Sequence, residues 1–396
     1  MGSVLTGPQA VERARQLVPA LAERAAKAEA LRRLPDETFV DLVASGLFRI
    51  TQPRRFGGSE LGLIDAFAVI NQLSRGCGST GWTYALLTSH QWFLSQFPDE
   101  GQHEVWDGNP DAVMSTSFSG STSPKPAPGG GWRIGEGTWR FSTGVHHASW
   151  VALLAPCFVA SDGDGPPDMR FLLVPRSEVE IIEDWRAVGL AGSGSCSVLA
   201  RDVTVPAHRV LRLADVLAAT SPGREVNHGS LYSLPLVGSW QVFLTAPATG
   251  IARAAMDAWI TRTKSRVSPY TKAPVTGDPA GLAHLGSAAA RIEAAETLIQ
   301  QVARRVTADA ESAGGVADET RARGRRDYAF AVRLCVEAVE ELFLAAGAST
   351  LDESSVVQRC WRDVHAVAQH QANNLDVALR SWGERALGLG DGLRFG

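Results

Sequence analysis

Between residues 8 and 48, apolar side chains recur three and four positions apart, at Val11, Ala14, Val18, Leu21 and Ala25, with Glu and Arg between them. That period is the stripe of an amphipathic helix. Helical spacing continues through 62–107, broken by the Gly76-to-Gly81 region and by Pro98, so residues 1–110 are expected to be all-helical. From 111 to 215 the texture changes to short β-prone runs, among them Trp150-Val-Ala-Leu-Leu, Phe171-Leu-Leu-Val and Val203-Thr-Val, separated by Gly, Pro and Asp. These runs predict a compact central β-domain, with Pro-, Gly- and Ser-rich surface loops at 121–131 and 161–168. Ala-rich helical patterns return near 240–264, 282–312, 325–347 and 352–386, and four long helices suggest a bundle. The expected fold class is α+β: an N-terminal helical domain over 1–110, a central β-barrel domain over 111–215 and a C-terminal helical bundle over 225–396. No internal repeat is visible.

Composition narrows the classes of partner. With 396 residues, 45% hydrophobic and 20% charged, the chain can bury a large core and divide into two or three domains. A net charge of −4 with no basic block leaves no electrostatic footprint for nucleic acid or an anionic membrane, so neither is expected as a partner. Cys77, Cys157, Cys196, Cys335 and Cys360 form no close pair, which with no secretory leader points to reduced packing thiols and a cytoplasmic location. No run approaches the roughly 20 apolar residues of a membrane span.

Several chemistries drop out. His365 and His370 are five apart and turn away from each other on a helix, and no His-Glu-x-x-His occurs, so no metal is expected. Gly192-x-Gly194 lacks the third glycine of a dinucleotide fingerprint, and neither a Walker sequence nor a Gly-x-Ser-x-Gly elbow is present.

The segment Gly137-Thr-Trp-Arg-Phe-Ser-Thr-Gly144, followed by Val-His-His-Ala-Ser-Trp150, resembles the flavin-facing strand of the acyl-CoA dehydrogenase superfamily. Further matches arrive in the family's order. They are Gly46-Leu-Phe-Arg-Ile50 with Pro53 and Phe56-Gly-Gly58, Gly78-Ser-Thr-Gly-Trp82, Gly189-Leu-Ala-Gly-Ser-Gly-Ser-Cys-Ser197 with Val205-Pro-Ala-His-Arg209, and Gln358-Arg-Cys-Trp-Arg-Asp363. The strand variant and the Gly78-to-Trp82 signature resemble the branch that uses reduced flavin and oxygen. That resemblance implies the oxygenase component of a two-component flavin-dependent monooxygenase, fed by a separate flavin reductase. Reduced flavin and O2 would form a C4a-hydroperoxyflavin that hydroxylates an aromatic, phenolic or polycyclic, small molecule. Oxygenation at sulfur or nitrogen, an acyl-CoA dehydrogenase using Glu353 or Glu384 as base, and a scaffold that has lost its flavin are the alternatives.

The same resemblance assigns residues. Ser142 matches the residue that hydrogen-bonds the isoalloxazine edge, with Phe141 and Thr143 beside it, and Ser115 and Ser117 fall where the family places a flavin-binding strand. Arg266 resembles an arginine that reaches flavin phosphate from a neighbouring subunit. Ala346-Gly-Ala348 lacks the Gln and one Gly of the family's adenine-binding segment, which tilts the cofactor from FAD toward FMN. A homotetramer is the family's usual assembly. His370 lies seven residues after Asp363, so a helix would turn both the same way, with Asn374 continuing the stripe. An imidazole there, with an unperturbed pKa of about 6.5, suits proton exchange beside the flavin, although a structural His facing a carboxylate has the same pattern. His90, in Thr88-Ser-His-Gln-Trp92, is the second catalytic candidate and is as compatible with a buried interhelical His. His147 is read as support for the β-domain. Trp82, Trp92, Trp139 and Trp150 either exclude water from the site or pack the core.

Overall fold

The computed structural model describes residues 4–158, 167–268, 272–312 and 315–390. A capping box starts the chain's first helix: the Thr6 hydroxyl accepts from the Gln9 N–H, and the Gln9 side chain returns to the Thr6 N–H. Helices α1 (Gly7–Leu31), α2 (Asp36–Ala44), α3 (Leu63–Gly76), α4 (Gly78–Leu94) and α5 (Asp99–Trp106) follow one another. The break expected around Gly76 to Gly81 is a single extended residue, Cys77 at φ −155° and ψ 120°, so α4 already begins at Gly78. Every residue of α4 is buried, which makes it the central rod of the molecule.

The strands are β1 (Met114–Ser117), β2 (Ser119–Gly120), β3 (Lys125–Pro126), β4 (Trp132–Ser142), β5 (Trp150–Cys157), β6 (Asp168–Pro175), β7 (Val179–Ile182), β8 (Cys196–Val205) and β9 (Val210–Arg212). They form one sheet in the order β1-β5-β6-β9 and another in the order β2-β4-β8-β7, with β3 added to β4. The expected barrel is therefore two sheets. Their inner faces meet over Ile134, Trp139, Val151, Leu153, Leu172 and Val198, and no strand pairing among the described residues closes the edges. The loop expected at 121–131 contains β3, whereas that at 161–168 lies almost wholly outside the described residues.

After α6 (Leu213–Ala218) and the kinked α7 (Leu236–Ser239) come α8 (Gln241–Ser265), α9 (Pro279–Glu311), α10 (Asp318–Ala346), α11 (Val356–Ala368) and α12 (Leu375–Ala386). The fourth long helix expected over 352–386 is thus two helices. Asn374 accepts the Val377 N–H at 3.1 Å and caps a new start, and the chain between leaves helical geometry at His370 with φ −63° and ψ 133°. The N-terminal helices and the C-terminal bundle share one apolar core, from Leu21 and Ile70 to Ile251, Ile299 and Val339. Asn71 on α3 reaches Thr249 on α8 at 2.8 Å across it. All five cysteines are buried free thiols. Among the described residues, no helix is long and apolar enough to cross a membrane.

Candidate active site

Strand β4 ends in a bulge. Its register against β8 shifts between Trp139 and Ser142, and Phe141 takes a left-handed φ of 65°. This leaves Phe141 56% exposed and turns Ser142 fully inward. The Ser142 hydroxyl is buried and has no hydrogen-bond partner among the described residues. Leaving a buried hydroxyl unpaired costs about 1–3 kcal/mol, so a partner from outside the chain fits here. Below the bulge, Thr143 Oγ1 lies 2.8 Å from Ser195 Oγ, which lies 2.9 Å from Ser193 Oγ. Gly144 turns at φ 71°, and a Cβ there would come within 2.9 Å of Thr83, so glycine lets the bulge close onto α4.

Ser115 and Ser117 sit behind this bulge. The Ser115 hydroxyl donates to the Thr143 carbonyl at 2.9 Å, and that of Ser117 to the Arg140 carbonyl at 2.5 Å. Both protons are committed to β4, so these serines position the bulge. The other face of β1 carries Met114 and Thr116. Thr116 Oγ1 is buried without a partner among the described residues. Sequence reading passed over this threonine; the alternation Met114-Ser115-Thr116-Ser117 was the available signal.

His90 of α4 places Nδ1 2.9 Å from the Met114 carbonyl oxygen. A carbonyl only accepts, so Nδ1 carries the hydrogen and Nε2 keeps its lone pair. Burial pushes the pKa of His90 down to about 4, which keeps the ring neutral at pH 7. Trp240, the residue before α8, lies with its ring 6.2 Å from that of His90 and 5.6 Å from that of Phe118.

His370 departs from the sequence expectation, because α11 ends at Ala368 and no helical stripe joins Asp363, His370 and Asn374. Asp363 faces elsewhere. Its buried carboxylate accepts the Leu190 N–H at 2.6 Å and would touch a side chain at Gly78, and burial raises its pKa to about 6. His370 instead starts the turn between α11 and α12, where its Nδ1 accepts the Ala372 N–H at 3.2 Å. The hydrogen of the neutral ring therefore sits on Nε2. Although part of the residue stays accessible, the packing around its ring depresses the pKa to about 4. Its ring meets Trp82 of α4 edge-on at 5.7 Å. The turn is fixed from α8: Gln241 Nε2 donates to the Ala372 carbonyl at 2.8 Å, and Asn373 Nδ2 to the Leu244 carbonyl at 3.1 Å.

Helix α4 thus touches every part of the site, with Trp82 against His370, Thr83 against Gly144 and His90 against β1. The other tryptophans singled out pack: the Trp139 N–H bonds the Leu154 carbonyl at 2.8 Å, the Trp92 N–H bonds the Leu231 carbonyl at 2.9 Å, and Trp150 lies under Arg209 at 5.0 Å. His147 donates from Nε2 to the Leu34 carbonyl at 3.0 Å and stacks on Phe39, tying the β4–β5 loop to the helices. Arg266 places Nη1 2.8 Å from the Ala346 carbonyl beside Gly347, which joins the two segments matched to the far end of a flavin nucleotide.

Other groups lie apart from this chemistry. Glu353 is exposed and Glu384 pairs with Arg380 at 3.4 Å, so neither is a carboxylate buried for α-proton removal. His146, Glu183 and Cys196 bring ligand atoms within 4.8 Å of one another, but Glu183 already accepts from both partners. Two surface cavities, of about 360 Å³ beside Glu319 and Trp382 and about 300 Å³ beside Arg13 and Asp111, touch none of the site residues.

Comparison with known proteins gives the family and the fold. Residues 9–106 match the family model described as acyl-CoA dehydrogenase, N-terminal domain, and residues 242–375 match that of the C-terminal domain. The chain is 33% identical over 380 residues to the oxygenase subunit HsaA of a flavin-dependent monooxygenase from Rhodococcus jostii, covering 96% of this chain and 98% of that one. It is 35% identical to the oxygenase component of an FADH(2)-dependent resorcinol hydroxylase from Rhizobium sp., covering 92% and 90%. The crystal structure of the HsaA monooxygenase from M. tuberculosis superposes with a TM-score of 0.91 at 32% identity, covering 98% of both chains.

Proposed function

Because the chain belongs to the acyl-CoA dehydrogenase family, on its branch of flavin-dependent monooxygenase oxygenase components, we propose that Ser142, His90, Thr116 and His370 bind reduced flavin and a phenolic substrate and direct its hydroxylation. Reduced flavin, supplied by a separate reductase, provides with O2 the oxygen atom that is transferred. The observation that carries the reading is the buried, unpartnered hydroxyl of Ser142 at the β4 bulge.

The two histidines divide the proton work. His90, neutral with Nε2 unprotonated, accepts a hydrogen bond from the phenolic hydroxyl and so raises the electron density of the ring, while the Thr116 hydroxyl holds the same oxygen. His370, neutral with Nε2 protonated, donates a hydrogen bond on the flavin side, and Trp82 packed on its ring keeps water away. Ser142 donates to the N5/O4 edge of the flavin, and Phe141 and Thr143 flank it. Arg266, bonded to the Ala346 carbonyl at the end of α10, serves the flavin phosphate of a neighbouring subunit in a homotetramer. Five buried free thiols support a cytoplasmic setting.

Both FMNH2 and FADH2 belong in the test, since one relative is named for FADH(2). Anaerobic titration with each should show Ser142→Ala weakening flavin binding about 10-fold while leaving the melting temperature unchanged or higher, because the lost hydroxyl bonds nothing in the chain. Mixing with oxygen and simple phenols should give hydroxylated product, and His90→Ala should lower product formation 10²–10⁴-fold, with the flavin's electrons appearing as H2O2. Reduced flavin oxidised at its free-solution rate with no phenol converted sinks the proposal. Bleaching of bound FAD by an acyl-CoA would move the chain to the dehydrogenase reading.

A further inference from the structure

The geometry around Trp240 points to a substrate-reading donor: we infer that its indole N–H selects, among phenolic aromatics, those that carry a second oxygen acceptor. This inference rests on the proposed function and adds the substrate class. The indole nitrogen of Trp240 is buried and has no hydrogen-bond partner among the described residues. Its ring lies 6.2 Å from that of His90 and inclined 31° to it, and 5.6 Å from Phe118, whose ring is 43% exposed. Thr116 and Phe118 share one face of the β1 segment, and Phe118 and His90 both pack on the Trp240 ring, so the orphaned Thr116 hydroxyl lies on the side of β1 that faces the orphaned Trp240 N–H and the His90 ring. Two buried polar atoms on that side have no partner among the described residues.

The chemistry of an indole decides what the Trp240 N–H can bind. An indole N–H donates and never accepts, so the matching ligand atom is a carbonyl, carboxylate or second phenolic oxygen; alkyl and ammonium groups are rejected. A phenylalanine would fill the same aromatic space without the cost of an unpaired buried donor, so the nitrogen needs a partner that the chain does not supply. The donor is also held in place. The chain breaks at Val237 (ψ 124°) and Gly238 (φ 91°), Trp240 follows as the residue leading into α8, and the next residue, Gln241, is tied to the Ala372 carbonyl at 2.8 Å. One rigid joint therefore positions the Trp240 donor and the His370 turn together.

The test uses the full chain with bound reduced flavin under argon, labelled with ¹⁵N at its indoles, and three probes: 4-ethylphenol, 4-hydroxyacetophenone and 4-hydroxybenzoate. Trp240→Phe identifies the Trp240 signal by its loss. In the unsubstituted protein that signal should move downfield with the ketone and the carboxylate and stay in place with 4-ethylphenol. Trp240→Phe should weaken the first two about 10-fold and leave 4-ethylphenol within about 2-fold. Equal weakening of all three probes, or an undiminished preference for the acceptor-bearing phenols, overturns the inference and leaves the hydroxylase reading standing. Binding of reduced flavin with no affinity for any of the three phenols overturns the substrate class and this inference together.

Discussion

At His90 the carbonyl of Met114 dictates which nitrogen carries the hydrogen, and at His370 the amide of Ala372 dictates the reverse. Both rings stay neutral because burial disfavours the cation, and both folded pKa values lie near 4 against an unfolded value near 6.5. The folded state therefore binds fewer protons than the unfolded one across that interval. The stability involved is fully present above pH 6.5 and is lost as pH falls through 4, at most about 3 kcal/mol for each ring. Asp363 runs oppositely: its folded pKa is raised to about 6, so its contribution is present below its ordinary value of 3.8 and lost as pH rises through 6. His90→Asn, which can still donate to Met114, should melt with a flatter pH dependence between 7.5 and 5 than the unsubstituted protein. Identical slopes would mean that His90 already titrates normally. Ser142 drew notice because it sits in a motif and His90 because it follows one, whereas the helical stripe that singled out His370 does not form. Thr116 and Trp240 were not legible, since a threonine among serines and one tryptophan among 11 acquire meaning only when burial leaves their polar atoms unpaired.

Helix periodicity found α1, α9 and α10 because their apolar residues face one core and repeat at 3.6, whereas α8, buried continuously from Gln241 to Ala252, showed itself by its Ala-rich composition. It failed after Ala368. The stretch from Gln369 to Asn374 contains neither Gly nor Pro, so nothing local announces a break, and only Asn374 three residues before Val377 hints at a cap. What opens the helix is tertiary: Gln241 and Asn373 hold the backbone of the turn against α8. Gln241→Leu removes a donor and an orphaned acceptor together, leaving the Ala372 carbonyl as the only lost partner, so stability should drop by about 1 kcal/mol or less. The larger effect should fall on function. With the turn loosened, His370 Nε2–H no longer stays aimed, and product formed per flavin oxidised should fall severalfold while H2O2 rises and flavin affinity stays within about 2-fold. Unchanged coupling would show that Asn373 alone fixes the turn.

For the molecule as a whole, segments expected to be separate at the two ends of the chain bury one another, since no sequence period reports that Ile70 and Ile251 share a core. The same scale explains what remains uncovered. Leu344 near the C-terminal end of α10 and Leu351 in the turn after it are each 70% exposed, and Leu282 is 56% exposed at the start of α9, which lies against α10 through His284 and Glu341. Exposed leucines in the segments that lead into and out of Gly347, which Arg266 contacts, are suited to an isologous contact. In the assembly proposed above, a second copy docked there would carry Arg266 toward another chain's flavin, and assembly and cofactor affinity would become one equilibrium. Leu344→Glu combined with Leu351→Glu should shift light scattering from the proposed four chains toward smaller species and weaken FADH2 binding by about 10-fold or more. Arg266→Ala should weaken the flavin comparably while leaving the mass of the assembly unchanged, which separates loss of the contact from loss of the arginine. A protein that is monomeric without substitution and still binds flavin tightly would remove the neighbouring subunit from the site, and Arg266 would then be a brace for the α10 terminus through its bond to Ala346.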